Sequence, residues 1–338
     1  MLHFFVNLQS ENPATMGTIK LRLSILILTF FSAAKITAQD TNYVKKYDNL
    51  VNLKTFIYNN GLDFWDKGSG LNYIPGIHTG IGIGAYCKYL PFDFSIRQEF
   101  SPINNTDHYH KQRTIDMLLK GYIKYFAGDI SIQKYKGFYT EEAESYKDVY
   151  SSRYNRQDEE REFEPDLSVF QFEAVGKYIF NHEKFSYKAG FTAYESQKIS
   201  AGSFMAGASF HLLKIDSDSS LIKVDNSSHL KTSNFGINCG YAYNYVFGKR
   251  SYVFMSATTG INISNPLSKS RYYQNYTISP AARLKAAYWL AFEHWTFGIT
   301  GIYNFIHQTL SPDLTIYLHS RKIEIVLIRR LCYKTDKK

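Results

Sequence analysis

Eleven charged side chains sit at alternating positions within segments otherwise rich in rings: Arg97, Lys120, Lys124, Lys177, Lys188, Arg283 and Lys285, with Asp93, Glu99, Asp116 and Glu173. If they share one interior, seven bases against four acids give it a positive field. Low-dielectric walls focus such a field and favour anions. The same groups could instead pair across neighbouring strands and close the space between them. Other motifs offer less. Asp107, His108 and His110 in "DHYH" put two imidazoles on one side of an extended chain, a spacing that can hold a metal, but two His and a carboxylate fall short of a site. His319 and Ser320 are adjacent, so a strand sends them to opposite faces, and a nucleophile needs its base within hydrogen-bond reach. Gly80, Gly82 and Gly84 in "GIGIG" share one strand face, and no helix follows to make a phosphate loop. No catalytic residues, metal ligands or cofactor are therefore expected, and the chain does not read as an enzyme.

The elements that would position these charges alternate with period two over about 9–11 residues, the length a tilted membrane strand needs. In "NFGINCGYAYNYVF" one side carries Phe235, Ile237, Cys239, Tyr241, Tyr243, Tyr245 and Phe247, and the other carries Asn, Gly and Ala. "HWTFGITGIYNF" repeats the pattern, with Trp295, Phe297 and Ile299 on the ring-bearing side. "YIFNHEKFSYKAGF" reads as two such strands, with Tyr178 and Phe180 before a polar turn and Phe185, Tyr187, Ala189 and Phe191 after it. Large apolar groups outside and small polar groups inside suit a barrel in lipid. A soluble sandwich would hide the rings.

The expected fold is therefore all-β: a transmembrane antiparallel up-and-down barrel of about 12 strands, with 14 as the alternative. Strands are expected near 50–60, 76–89, 91–100, 114–126, 128–139, 167–180, 184–195, 201–213, 231–247, 249–263, 277–291, 293–306 and 321–331. That is one too many for a chain that enters and leaves on the same side, unless 313–320 adds another. The alternation of short and long connections also breaks later in the chain: the connection at 214–230 is long where a short one is due, and that at 247–250 is short where a long one is due.

Composition supports export to a membrane. Aromatics make up 17% of the 338 residues, with 28 Tyr and 25 Phe, yet mean hydropathy is only −0.30. Lys20 and Arg22 precede the apolar run "LSILILTFFSAA" and then small residues, the plan of a signal peptide over 1–38. Residues 1–15 read as an extension before a better start at Met16. A short periplasmic segment at 39–49, a barrel at 50–331 and a tail at 332–338 would follow. The net charge of +9 is uneven, because residues 140–166 hold ten acids and four bases. No compact basic patch suggests nucleic-acid binding. Cys87, Cys239 and Cys332 follow no disulfide or metal spacing.

"YIFNHEKFSYKAGF", with "ESQKISAGSF" (Glu195–Phe204) after it and "QKYKGFY" (Gln133–Tyr139) before it, resembles the domain-of-unknown-function family 4421; "YIPGIHTGIGIGAYCKYL" (Tyr73–Leu90) is similar to that family's early hairpin. The resemblance covers roughly 45–331. It implies an exported barrel of the Gram-negative cell outer membrane, and it implies no activity. The expected partners are outer-membrane lipid, lipopolysaccharide and the barrel assembly machinery, although "IEIVLIRRLCYKTDKK" lacks the terminal aromatic common in such barrels. Three roles are compatible with this reading: a narrow porin-like pore for small anions or a surface-structural barrel, an adhesion or assembly module working through loops, and a lipid-modifying enzyme.

Overall fold

The computed structural model describes residues 39–47, 50–67, 70–75, 78–88, 92–99, 113–142, 162–217, 228–267, 276–311 and 314–331. Its strands are β1 (Val44–Lys46), β2 (Val51–Asp66), β3 (Leu71–Pro75), β4 (His78–Cys87), β5 (Phe92–Glu99), β6 (Arg113–Tyr122), β7 (Phe126–Glu142), β8 (Glu162–Ile179), β9 (Glu195–Gln197), β10 (Ala201–Asp216), β11 (His229–Val246), β12 (Ser251–Pro266), β13 (Thr277–Ala291), β14 (Trp295–Ser311) and β15 (Leu314–Leu331). One helical turn, α1 (Tyr187–Thr192), stands between β8 and β9.

β2, β4, β5, β6, β7, β8 and β10–β15 form an antiparallel ring of neighbours in chain order. The ring closes where β15 pairs with β2, from Leu331 opposite Val51 to Ile316 opposite Asp66. The result is an up-and-down transmembrane barrel of twelve strands. Short turns at 123–125, 247–250 and 292–294 mark one end, called here the turn end. The other is the loop end.

β3 is an extra piece with a consequence for shape. It pairs with the tip of β2 on one side and with Leu71–Pro75 opposite Phe138–Glu142 of β7 on the other. At the loop end β3 therefore bridges β2 to β7 directly, and β5 and β6 take no part there. Ten strands surround the loop end and twelve the turn end.

The alternation works as the residues dictate. On β11, Phe235, Ile237, Tyr243 and Tyr245 are exposed on the outer wall, while Thr232, Asn234, Ala242 and Asn244 are buried inside. Phe297, Ile299, Ile323 and Ile325 continue this belt on β14 and β15. Each such side chain left in water would forgo about 1.5–3 kcal/mol of burial, so the belt is built to meet lipid.

The segment 184–195 departs from the expected strand. Phe185, Tyr187, Ala189 and Phe191 face no lipid; they are buried inside the barrel, at 2% exposure or less. Tyr187 and Phe191 are four residues apart, a spacing that serves one helix face as well as one strand face. The helix wins because its start is capped: the Ser186 hydroxyl accepts from the Ala189 N–H at 3.0 Å. Ala193 ends it in the left-handed region at φ 54°. Residues 180–200 are thus one turn-end connection rather than a strand. Removing that strand yields twelve and restores the order of short and long connections. The expected extra strand at 313–320 is not separate either, since residues 314–320 begin β15. The expected connection at 61–75 is mostly strand, completing β2 and forming β3. Within the segment 39–49, β1 pairs with β9 in a separate two-stranded sheet.

Candidate functional site: a plugged and ion-paired interior

The turn end is filled by the in-folded connection. Gln197 is the hub. Its amide oxygen accepts from the Ser186 N–H at 3.1 Å and from Asn244 Nδ2 at 3.0 Å, and its nitrogen donates to the Lys184 carbonyl at 2.7 Å. The wall holds the helix by its carbonyls. Trp289 Nε1 donates to Gly190 O at 2.7 Å, Tyr252 Oη to Ala189 O at 3.0 Å, and Arg330 to Ala193 O at 3.1 Å. Gly190 is needed for this approach, because a Cβ there would collide with the Phe254 ring and stand 2.5 Å from Asn244 Oδ1. Around the plug, Phe56, Tyr86, Tyr122, Phe185, Tyr187, Phe191, Tyr194, Phe254 and Trp289 make a continuous apolar layer. β1 lies over the plug through β9, and Lys45 of β1 reaches Glu293 in the 292–294 turn at 2.8 Å. The Glu293 carboxyl is held below its ordinary value by that hydrogen bond and by the Lys45 charge.

Above the plug lies a belt of buried charge in two networks. In the first, Lys54 pairs with Asp93 at 2.8 Å and Arg97 with Glu324 at 2.8 Å. Lys120 stands 3.8 Å from Glu324, and Lys322 meets Asp116 at 2.7 Å. Arg97 is also 3.6 Å from Asp116, which takes a further short hydrogen bond from Asn60. In the second, Asp129 receives Lys285 at 2.5 Å and the Tyr122 hydroxyl at 2.7 Å, with Arg283 at 3.8 Å. Arg283 makes a short ion pair with Glu173, which also faces His211 at 3.2 Å. The plug touches both networks, for the Phe191 ring lies 4.9 Å from Lys120 Nζ and 4.5 Å from Lys285 Nζ.

A second apolar layer closes the loop end. Leu62, Phe64, Tyr73, Tyr135, Phe138, Leu167, Leu213, Ile306 and Leu318 fill it, with Phe64 and Tyr73 stacked at 4.5 Å between centroids.

Eight of the eleven charges expected to face inward are in the networks or beside them: Arg97, Lys120, Lys177, Arg283, Lys285, Asp93, Asp116 and Glu173. Lys188 is on α1, bound to Glu195 at 3.5 Å, so it belongs to the plug and not to a strand. Lys124 falls in the 123–125 turn beyond the end of β6, half-exposed and in neither network. Glu99 is on β5, and its side chain is outside the described residues. Lys54, Asp129, Lys322 and Glu324, which are not among the eleven expected charges, complete the networks. Lys322 and Glu324 alternate with Ile323 and Ile325 in "RKIEIVLIRR", so the strand period carried the signal. Asp129 falls in "AGD", which reads as a turn, so the sequence gives no sign of its inward place.

His319 and Ser320 do part to opposite faces: His319 Nδ1 meets Tyr303 Oη at 2.6 Å on the outer wall, and Ser320 is buried inside against Gln133. The expected "DHYH" motif, the bulk of the acidic run at 140–166, the 1–38 leader and Cys332 lie outside the described residues. No group of three or more His, Cys, Asp or Glu suited to a metal occurs among the described residues.

A family model described as "Domain of unknown function (DUF4421)" matches residues 38–325. No curated protein matches the sequence. Solved barrels align over most of the chain at low identity. The translocator domain of autotransporter NalP from Neisseria meningitidis is 12% identical with a TM-score of 0.37, covering 94% of this chain and 98% of its own. The outer membrane protease OmpT from Escherichia coli is 6% identical with a TM-score of 0.35, covering 84% and 97%. The P. putida toluene transporter TodX is 7% identical with a TM-score of 0.26, covering 85% and 91%. With TM-scores under 0.5, these likenesses carry no argument about activity.

Proposed function

We propose that this chain, which belongs to the DUF4421 family, is an outer-membrane barrel of surface-structural role whose interior is sealed at rest. On this reading the leader at 1–38 exports it, the assembly machinery inserts it, and the turn end faces the periplasm. Lipid and lipopolysaccharide meet the belt of Phe235, Ile237, Phe297 and Ile325. One observation carries the reading: the connection 180–200 fills the wide end of the barrel while paired charges and a second apolar layer fill the rest. An open pore would need inward charges facing water, and here Arg97, Lys120, Lys285, Asp129 and Glu324 face each other. Planar-bilayer recording of the purified protein tests it. Silence at moderate voltage is expected, and steady unitary conductance from the wild type would overturn it.

A second reading, passage of small anions when the plug is out, has its own support. Among the described residues the charged belt holds seven Lys and Arg (Lys54, Arg97, Lys120, Lys177, Arg283, Lys285 and Lys322) against five carboxylates (Asp93, Asp116, Asp129, Glu173 and Glu324). Replacing 183–198 by a short Gly/Ser turn would then open an anion-preferring conductance. Continued silence of a correctly folded deletion variant would count against this passage.

A further inference from the structure

On the outer wall near the loop end, the strand registers bring three lysines to one level. Lys134 of β7 stands opposite Phe170 of β8, Phe170 opposite Lys214 of β10, and Lys214 opposite Lys231 of β11. The three lysines are exposed and Phe170 is half-buried. Their chain neighbours Gln133, Tyr135, Leu213, Ile215, Leu230 and Thr232 are buried on the inner side. Lys214 and Lys231 are directly opposite on adjacent strands, where Cβ atoms stand about 5 Å apart and like charges repel. Acids do not cancel the row. One level further out, Lys136 is 3.3 Å from Asp166, and Asp216 is shared between Lys214 at 2.6 Å and His229 at 3.0 Å. On these two levels, among the described residues, Lys134, Lys136, Lys214 and Lys231 thus face only Asp166 and Asp216.

The height of the row is as telling as its charge. Directly below it, Ile132, Phe172 and Leu212 are aligned across the same three strands. Along β10 the outward side chains then run through Phe210, 39% exposed, to Phe204, 71% exposed and packed on the Tyr241 ring at the turn end. Lys214 lies ten residues on from Phe204. At about 3.3 Å per residue and a tilt near 40°, that span is about 25 Å along the bilayer normal, the height of an apolar band. The ammonium groups therefore stand at headgroup level, with their stems along the acyl chains.

We propose that this row of β7, β8, β10 and β11 is a docking surface for the phosphorylated sugar headgroup of lipopolysaccharide, with its acyl chains on Ile132, Phe172 and Leu212. A phosphate group between Lys214 and Lys231 turns their repulsion into attraction, and a second reaches Lys134 across Phe170. The site rests on the outer-membrane reading, which puts the loop end at the lipopolysaccharide leaflet. It does not rest on the sealed interior. A conducting wild type that keeps the lipid preference would sink the seal alone, and a silent one without the preference would sink this site alone.

Native mass spectrometry of the refolded barrel in detergent, titrated with lipid A or with the same lipid stripped of its phosphates, tests the proposal. Lipid A should bind about tenfold more tightly, as expected for several surface lysines acting on one anionic headgroup. Lys134→Gln/Lys214→Gln/Lys231→Gln should bind both lipids alike while keeping its heat-modifiable gel mobility. Lys134→Gln alone serves if the triple variant does not refold, and should lose part of the preference. Lys198→Gln/Lys249→Gln/Arg250→Gln removes the same charge from exposed positions at the turn end and should leave the preference intact. No preference in the wild type overturns the proposal. So does an undiminished preference in the lysine-row variants, as when the acidic run at 140–166 occupies the row, or an equal loss in the turn-end variant.

Discussion

Glu324→Gln tests whether the charged belt is dry and paired or merely drawn up around a water column. Glu324 is 2% exposed and faces Arg97 at 2.8 Å and Lys120 at 3.8 Å. At an effective dielectric near 20, the two attractions are worth roughly 6 and 4 kcal/mol before desolvation is subtracted. Losing the carboxylate strands two buried cations. Arg97 keeps Asp116 at 3.6 Å, whereas Lys120 keeps no other carboxylate within 4 Å among the described residues. Breaking a buried pair by removing one partner costs about 3–5 kcal/mol, and the partial rescue of Arg97 puts the expectation near the lower end. Reversible urea unfolding into and out of lipid vesicles, followed by tryptophan fluorescence and heat-modifiable gel mobility, would measure it. The double variant Arg97→Met/Glu324→Gln should be less destabilised than the two single changes together, by about 1–3 kcal/mol. A cost under about 1 kcal/mol that shrinks further with salt would mean solvent-screened pairs. The sealed interior would then be refuted along with the role built on it.

Three further outcomes are expected. Gly190→Ala forces the plug away from Phe254 and Asn244, so it should destabilise the barrel by about 1–3 kcal/mol and expose 183–198 to protease in detergent; an unchanged digestion pattern would show that the plug does not need this close approach. Ile237→Arg places a charge on the exposed outer belt and should cost about 2–4 kcal/mol in vesicles; a neutral result would put that position outside the bilayer. Because the folded Glu293 carboxyl titrates below its ordinary value, the Lys45–Glu293 contact adds to stability above about pH 4–5 and loses that contribution as pH falls through the folded value. A spin label at Asn42 should therefore stay immobile from pH 7 to pH 5 and loosen at lower pH, with Glu293→Gln removing this response; loosening above pH 5 would contradict the assignment.

The wall of the barrel was legible because its signal is local. Each strand repeats a choice between ring and small polar residue every second position, and lipid outside makes that choice strict. The plug was not legible for the same reason. Phe185, Tyr187, Ala189 and Phe191 obey the period of a strand, and what bends them inward is long-range: Trp289, Tyr252 and Arg330 on distant strands take the helix carbonyls. The failed order of long and short connections at 214–230 and 247–250 is the clue in the sequence, since one strand too many shifts every later turn to the wrong side. Charges on clean alternation, such as Lys177 and Arg283, could be assigned to the interior from sequence. Their pairing could not, because Arg97 and Glu324 are 227 residues apart and only barrel closure makes them neighbours.

The uneven strand count explains why the interior is filled in two different ways. A barrel's diameter grows with the number of strands around it, so ten strands at the loop end enclose a radius smaller by about 2 Å than twelve at the turn end. Side chains alone bridge the narrower end: Leu62, Phe64, Tyr135, Phe138 and Leu318 meet across it with no added segment. The wider end exceeds the reach of Ala242, Ala287 and Val326 on the wall, and there the chain supplies a helical turn with its own rings. The bridging strand and the plug are thus two halves of one solution to sealing a tapered barrel. Cutting the β3 contact therefore has a defined consequence. Replacing Ile74 by proline removes a donor from β3 near its pairing with Tyr139, and the loop end should widen toward the twelve-strand circumference. Water should then enter the upper apolar layer, seen as faster hydrogen exchange at Leu167 and Val169, while the plug at Tyr187 and Phe191 stays protected. Loss of protection at both ends together would show instead that the barrel opens as one unit and that the taper carries no separate role.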